Sequence, residues 1–284
     1  MRIQSTDGVA IELHDLGGDG PPVLIGHATG FCAGAYRPLA TALAADHHVW
    51  ALDFRSHGES SPPASGDHTW RGMVDDVLAS IEAIGGGPVH ALGHSMGGAC
   101  LLGAEARQPG TLRSAWVFEP IVIPPEWETT PGENPLATAA RRRRATFESK
   151  PAALARYASR PPLGLLRADS LAAYVEHGFA DQPDGTALLR CAPEHEAATF
   201  EGTDKPTFAA MAGVGVPVVV AMGTREPFGP QSFAPRVADA LPRGHAHRYT
   251  HLGHFGPLED PTTVAADAAA HFAASAFGGA GSAS

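Results

Sequence analysis

Three kinds of side chain in this sequence, taken together, could cleave an acyl bond. Ser95 stands between Gly93 and Gly97 in "GHSMGG", directly after an apolar run at 89–92. A serine hydroxyl is a weak nucleophile until a base takes its proton. Among 15 histidines, His254 in "HLGHFGPLEDP" is the candidate base, because Gly253 and Gly256 leave its loop free to turn inward. His251 lies nearer the preceding strand and reads as structural. His94 and His27 adjoin the other loops of interest and read as packing or hydrogen-bonding residues. The imidazole in turn needs a carboxylate to hold its tautomer and stabilise its charged form.

Two glutamates qualify as that acid. Both satisfy the chain order serine, acid, histidine, and both end candidate strands. Glu226 follows "VPVVVAMG", the commoner place for the acid in this architecture, and is the favoured assignment. Glu119 ends "AWVFEP" and is the alternative, its extra methylene letting it reach from one strand over. The one not used as acid is expected to line the pocket. An oxyanion needs backbone donors. The Met96 N–H, at the start of the helix after Ser95, would be one. Thr29, or else Ala28, in "VLIGHATGF" would supply the other.

These residues need a scaffold, and the apolar periodicity describes one. "GVAIELHDLG", "PPVLIGH", "VWALDF", "PVHALGH", "LRSAWVFEP", "VPVVVAMG" and "AHRYTHLG" read as strands. Between them lie helical patterns such as the face formed by Met73, Val74, Val77, Leu78, Ile81 and Ile84. Strand–helix alternation implies an α/β fold, a parallel sheet with helices on both faces. The alternation breaks after Pro120 and resumes near Val214. The chain therefore divides into a core domain, 1–120 and 214–277, an inserted helical cap or lid, 121–213, and a flexible tail, 278–284. In this layout Ser95 sits on a nucleophile elbow, a strand-to-helix turn whose small neighbours permit a strained serine.

"GHSMGG", "HATGF", "ALDFRSHGESS", "GTREPFGP" and "GHFGPLEDP", in this order, resemble the α/β-hydrolase superfamily over the whole chain except the insertion. The resemblance implies a mostly parallel eight-stranded sheet, a Ser/acid/His triad and no cofactor or metal. Departures are visible. Ala28 stands where the family's H-G-x-P-G loop has glycine, Ser56 where its D-x-R-G-x-G-x-S loop has glycine, and Glu226 where aspartate is usual. "VFEPI" is similar to haloalkane dehalogenases and some serine lactonases, whose acid follows the sixth strand, which keeps Glu119 open. Dehalogenases and epoxide hydrolases use an aspartate nucleophile, and Ser95 argues against both.

Composition narrows the partners. A formal net charge of −10 argues against nucleic acid or an anionic membrane surface. Three scattered cysteines, Cys32, Cys100 and Cys191, read as free thiols, and no apolar leader or membrane-length window is present. The expectation is a cytoplasmic monomer or homodimer acting on a small-molecule ester, lactone or thioester. Phe31 and Phe255 adjoin the catalytic loops and are the first substrate-lining candidates, followed by Trp127 and Phe147, with Tyr157, Tyr174 and Phe179 behind them. Arg141, Arg142, Arg143 and Arg144 form the one basic cluster. Consecutive helical residues fan out by about 100°, so one or two at most could face a pocket. The rest would form a solvated face paired with acids such as Glu133 and Glu148. The reading is a Ser-His-Glu hydrolase. An acyltransferase or thioesterase, a cofactor-free perhydrolase, and a non-catalytic small-molecule binding protein are the alternatives.

Overall fold

Apolar strands linked by amphipathic helices leave one stable layout, a sheet covered on both faces, and the computed structural model of the protein has it. The structure describes residues 1–127, 134–226 and 229–277. The core begins with β1 (Arg2–Gln4), β2 (Ala10–Asp15), β3 (Pro22–Gly26), α1 (Arg37–Leu43), β4 (His48–Leu52), α2 (Trp70–Ala83), β5 (Val89–His94), α3 (Met96–Arg107) and β6 (Leu112–Phe118). An insertion follows, with α4 (Pro135–Arg141), β7 (Thr146–Phe147), α5 (Lys150–Ala158), α6 (Ala168–Gly178), β8 (Phe179–Asp181), β9 (Ala187–Leu189), α7 (Pro193–Glu201) and α8 (Phe208–Met211). The core then resumes with β10 (Val218–Gly223), α9 (Ala234–Ala240), β11 (Gly244–Tyr249), α10 (Gly256–Glu259) and α11 (Pro261–Phe277).

The eight-stranded sheet runs β1-β2-β4-β3-β5-β6-β10-β11. The β1–β2 and β2–β4 pairs are antiparallel and the others parallel. Side-chain alternation assigns the two faces. Leu24 joins Met73 and Val77 of α2, Leu101 of α3 and Val237 of α9 in one layer. Val23 and Ile25 join Leu39 of α1 and Ala265 and Phe272 of α11 in the other. Each layer is apolar because the central parallel strands are covered on both sides. The chain leaves β3 first toward β4 and later returns to β5 on its other side. Loops that diverge in this way open a crevice at the carboxyl ends of the strands. The loops carrying Thr29, Ser95, Glu119, Glu226 and His254 all leave from that edge.

The insertion is mostly helical, as the sequence implies, but it is not built from helices alone. It contains a small antiparallel sheet, β7-β9-β8. Its strands are two or three residues long, too short for alternation to register. The overlooked signal is "PDG" between "FAD" and "ALL". Gly185 takes φ +85°, Asp184 accepts from the Thr186 N–H at 3.0 Å, and Gln182 N–H bonds Thr186 O at 2.8 Å. That is a hairpin turn. The tail at 278–284 lies outside the described residues, and among the described residues no helix is long and apolar enough to cross a membrane.

Several histidines are buried in neutral form. Burial pushes His57 down to about 3 and His90 to about 4. It also lowers His27, and His94 further still. The unfolded chain, titrating near 6.5, therefore takes up protons before the folded one. Each such residue withdraws about 1.4 kcal/mol of stability per pH unit below that value, until its folded value is reached. His14 works in the opposite direction. Burial lowers it, but the Asp53 carboxylate at 2.9 Å outweighs burial and raises it, so its contribution is lost as pH rises. His27, His57, His90 and His94, joined by His47, His177, His195 and His271, which burial also lowers, outnumber it. The urea midpoint is expected to fall between pH 7.5 and pH 5 with net proton uptake on unfolding; an unchanged midpoint would contradict these neutral assignments.

Candidate active site

The site is built on a steric junction between β5 and α3. Ser95 joins them with φ 54° and ψ −115°. For a residue with a Cβ this conformation costs about 1–3 kcal/mol and persists only where its surroundings enforce it. Here glycines do so. A Cβ on Gly97 would overlap the Gly26 carbonyl, and one on Gly93 would overlap the backbone of Gly98. The helix can therefore lie directly on β3 and β5. Backbone bonds then hold the turn. Ser95 N–H donates to Phe118 O at 2.9 Å, and Ser95 O accepts from Ala99 N–H at 3.1 Å and Ile121 N–H at 3.2 Å.

His254 follows β11 and faces a carboxylate. Its Nδ1 donates to Glu119 Oε2 at 2.6 Å. A carboxylate at Nδ1 fixes the proton there and leaves the Nε2 lone pair free. Glu119 is itself constrained. It has φ +44°, its N–H bonds Ala221 O at 2.9 Å, and its Oε1 accepts from Gly223 N–H at 2.9 Å. The ring therefore meets the alternative acid candidate and not the favoured one, Glu226. Glu226 is 44% exposed and accepts from its own neighbour, Arg225, at 2.9 Å. Arg225 also grips Glu259, whose Oε2 accepts from Gly253 N–H at 3.2 Å. So Glu226 braces the outside of the His254 loop, while Glu119 reaches across the end of β10 to the ring. The adjacent arginine was the sequence signal that Glu226 already had a partner.

The loop after β3 lies against the elbow. Gly97 N–H donates to His27 O at 3.1 Å, and Thr29 Oγ1 approaches Met96 Sδ at 3.3 Å. Of the two candidate second donors, Ala28 has its N–H bonded to Tyr36 Oη at 3.1 Å. Ala28 O accepts from His27 Nδ1 at 2.8 Å and from Phe31 N–H at 3.1 Å. In a trans peptide the N–H points opposite to the C=O, so these two bonds set the direction of the Thr29 N–H. Met96, the first residue of α3, has an N–H with no acceptor inside its own helix.

Phe31, Phe255 and Tyr174 form an aromatic wall beside these loops. The Phe31 ring lies 5.4 Å from Phe255 and 4.8 Å from Tyr174, and Phe255 lies 5.4 Å from His254. Phe147 is one layer out, packed on Tyr157, Phe179 and the Arg144 guanidinium. It belongs to the core of the insertion and not to the wall. The Trp127 side chain and Glu133 lie outside the described residues. His251 is exposed and near Asp260 at 3.5 Å.

The arginine cluster separates, but not as a helical fan: only Arg141 lies in α4, and Arg142, Arg143 and Arg144 follow in the turn after it. Arg141 pairs with Glu194 and Glu201, and Arg144 with Glu148. Arg143 turns inward to Glu196 and to Tyr174 Oη at 2.6 Å, and Tyr174 Oη bonds Gly30 O at 3.2 Å. Burial disfavours that guanidinium's charge, but Tyr174, Glu196 and Tyr157 outweigh it and hold it well above its ordinary value. Among the described residues no group of three or more His, Cys, Asp or Glu could hold a metal ion.

The sequence profile of the alpha/beta hydrolase family matches residues 23–268. An (E)-2-((N-methylformamido)methylene)succinate hydrolase of Acinetobacter baylyi is 31% identical over 34% of this chain and 36% of its own length. The human monoglyceride lipase is 33% identical over 38% of each chain. The matched region thus spans little more than a third of those two relatives. Among solved structures, an E-2-(acetamidomethylene)succinate hydrolase superposes with a TM-score of 0.73 at 21% identity, covering 94% of this chain and 96% of its own. The enol-lactonase of Burkholderia xenovorans LB400 gives 0.71 at 18% identity, covering 96% and 100%. At these identities the structural likeness concerns the fold.

Removing one partner of a buried ion pair leaves the other charge unmatched, at a cost of about 3–5 kcal/mol. Arg143→Met is expected at the lower end of that range, because the arginine retains 20% of its side-chain exposure. Adding Glu196→Gln should recover at least about 1 kcal/mol. Urea unfolding of the double-mutant cycle measures this; strict additivity would mean that the pair is not coupled.

Proposed function

The chain belongs to the alpha/beta hydrolase family, and from that premise we propose that it is a serine hydrolase of carboxylic esters or lactones. Ser95 is the nucleophile, His254 the base and Glu119 the acid. The observation that supports this most directly is the 2.6 Å bond from His254 Nδ1 to Glu119. It belongs to a ring on the loop beside the strained serine, whose predecessor His94 has its ring 5.1 Å from that of His254.

The steps follow from these roles. Ser95 Oγ adds to the substrate carbonyl carbon while its proton passes to His254 Nε2. The imidazolium is stabilised by Glu119. The carbonyl oxygen becomes an oxyanion, held by the N–H groups of Met96 and Thr29 beside the positive end of α3. On collapse, the carbon–oxygen bond to the leaving group breaks and Nε2 returns the proton to that alkoxide. Water then adds to the acyl-serine, giving a proton to Nε2. The second collapse frees the carboxylic acid and restores the Ser95 hydroxyl.

Segment 121–213 is the cap in this reading. Arg143 and Tyr174 rest on the oxyanion loop at Gly30, Trp70 Nε1 donates to Thr199 O at 2.9 Å, and Arg167 N–H bonds Leu258 O at 3.0 Å. A cap seated on both catalytic loops excludes water and strengthens the electrostatic contributions. The Phe31, Phe255 and Tyr174 wall suits a small to medium apolar acyl or alcohol group.

The test is a panel of p-nitrophenyl esters of graded chain length with a set of lactones. Ser95→Ala should lose at least about 10⁴-fold in kcat and escape labelling by a fluorophosphonate. Glu119→Gln should lose about 10³–10⁴-fold, because the amide no longer holds the productive tautomer. Glu226→Gln is expected within about threefold of wild type, as an exposed brace. An inactive Glu226→Gln beside an active Glu119→Gln would reverse the acid assignment.

A further inference from the structure

Two loops must stay in register for the proposed chemistry: the one after β3, carrying Thr29, and the one after β11, carrying His254. They come from opposite ends of the chain. One side chain is linked to both. His94, the last residue of β5, has its Nδ1 2.7 Å from Tyr36 Oη and its Nε2 2.8 Å from the backbone oxygen of His254. Tyr36 Oη also accepts from Ala28 N–H at 3.1 Å.

The direction of every bond is determined. A carbonyl oxygen can only accept, so Nε2 carries a proton and donates to His254 O. A neutral ring then has a lone pair on Nδ1, and the Tyr36 hydroxyl must donate there. Tyr36 Oη in turn accepts from the Ala28 amide. His94 is fully buried, with both nitrogens satisfied. The titratable groups around it are Tyr36, His254 and, further off, His27. Burial drives its proton affinity far down, and charge on His254 lowers it more. The ring therefore stays neutral while His254 gains and loses its proton, and the bond pattern does not invert during turnover.

We propose that His94 is a positioning residue that couples the oxyanion loop to the catalytic base through Ala28 N–H···Tyr36 Oη–H···Nδ1 and Nε2–H···O=C of His254. This rests on the serine-hydrolase reading. The chain holds the His254 backbone oxygen while Glu119 holds Nδ1, so the residue is fixed at two points and Nε2 is left for the proposed proton transfer. At the other end it holds the Ala28 amide away from the site and leaves Thr29 as the donor. Displacements of about 1 Å in such groups lower rates by about 100-fold.

Nitrogen-15 NMR of uniformly labelled wild type reads the tautomer without a substrate. His94 should show protonated Nε2, unprotonated Nδ1 and no titration from about pH 6 to 9. A protonated Nδ1, or a titrating ring, would overturn the proposal. Ester hydrolysis and the rate of fluorophosphonate labelling then read the coupling. His94→Phe and Tyr36→Phe should each lower kcat and the labelling rate by about 10–100-fold, with KM within about threefold. His94→Gln, whose amide N–H can stand in for Nε2–H, should recover most of the loss, and His94→Asn should not. If His94→Phe does not fold, Tyr36→Phe, which removes one hydroxyl, decides. Wild-type labelling rates in both phenylalanine variants would end the proposal and leave the hydrolase reading intact. Wild type that neither labels nor hydrolyses any ester would end that reading first, and the coupling with it.

Discussion

The close approach of α3 to β3 and β5 is the constraint on which the rest of the site depends. A Cβ on Gly26 would stand 3.1 Å from the Gly97 Cα, and the Gly93–Gly98 contact is tighter still. Backbone packed this closely leaves Ser95 no relaxed conformation, and its φ of 54° is the result. Three consequences follow from the one contact. The chain turns sharply out of β5 at Ser95, the Met96 N–H lies at the free end of its helix, and Gly97 N–H reaches the His27 carbonyl at 3.1 Å. That last bond begins the placement of the loop after β3.

Strain recurs where the chain turns out of the sheet edge. Glu119 takes φ +44° at the end of β6, and Ser56 takes φ +65° in the loop after β4. Ser56 stands where related sequences carry glycine, and the reason glycine suits the position is now visible: it requires the left-handed region. Serine is tolerated because its hydroxyl gains a bond to His68 Nε2 at 2.9 Å, a polar compensation that a glycine would lack. Beside it, Arg55 donates from Nε and Nη2 to the buried Asp76 carboxylate at 2.9 and 2.8 Å. A buried, doubly bonded pair of this kind holds the loop rigidly. Strained residues survive here because buried hydrogen bonds over-determine them.

The sequence carried the fold well. Seven of the sheet strands show as apolar runs. Only β1, three residues long, and the cap's small sheet are missed. The turn at Ser95 and the loop that carries His254 were legible because each is tied to local glycine chemistry. Which glutamate meets His254 was not, because that depends on which strands are neighbours. β6 lies beside β10, so Glu119 and Glu226 leave adjacent strand ends, and linear order cannot separate them. Their hydrogen bonds do. Tyr36 and His94 are linked across distant parts of the chain, and no local pattern marks a tyrosine as the partner of an elbow histidine. The Ala28 amide illustrates the same limit. Its place in the loop matched a donor, but its partner, Tyr36, is fixed only by tertiary packing.

The arginine cluster shows how charge is distributed around the site. A run of four arginines in a chain of net charge −10 invites assignment to an anionic substrate. Yet Arg141, Arg143 and Arg144 each have glutamate partners within the insertion. The inward one, Arg143, is committed to Glu196 and to two tyrosines. A guanidinium neutralised in this way has little field left for a distant anion. Its effect passes instead through Tyr174 to the Gly30 carbonyl, one residue from Thr29. The same interaction that satisfies a buried charge thus seats the insertion on the loop after β3. That links the seating of the insertion to the geometry of the proposed oxyanion donors without requiring any charge on the substrate.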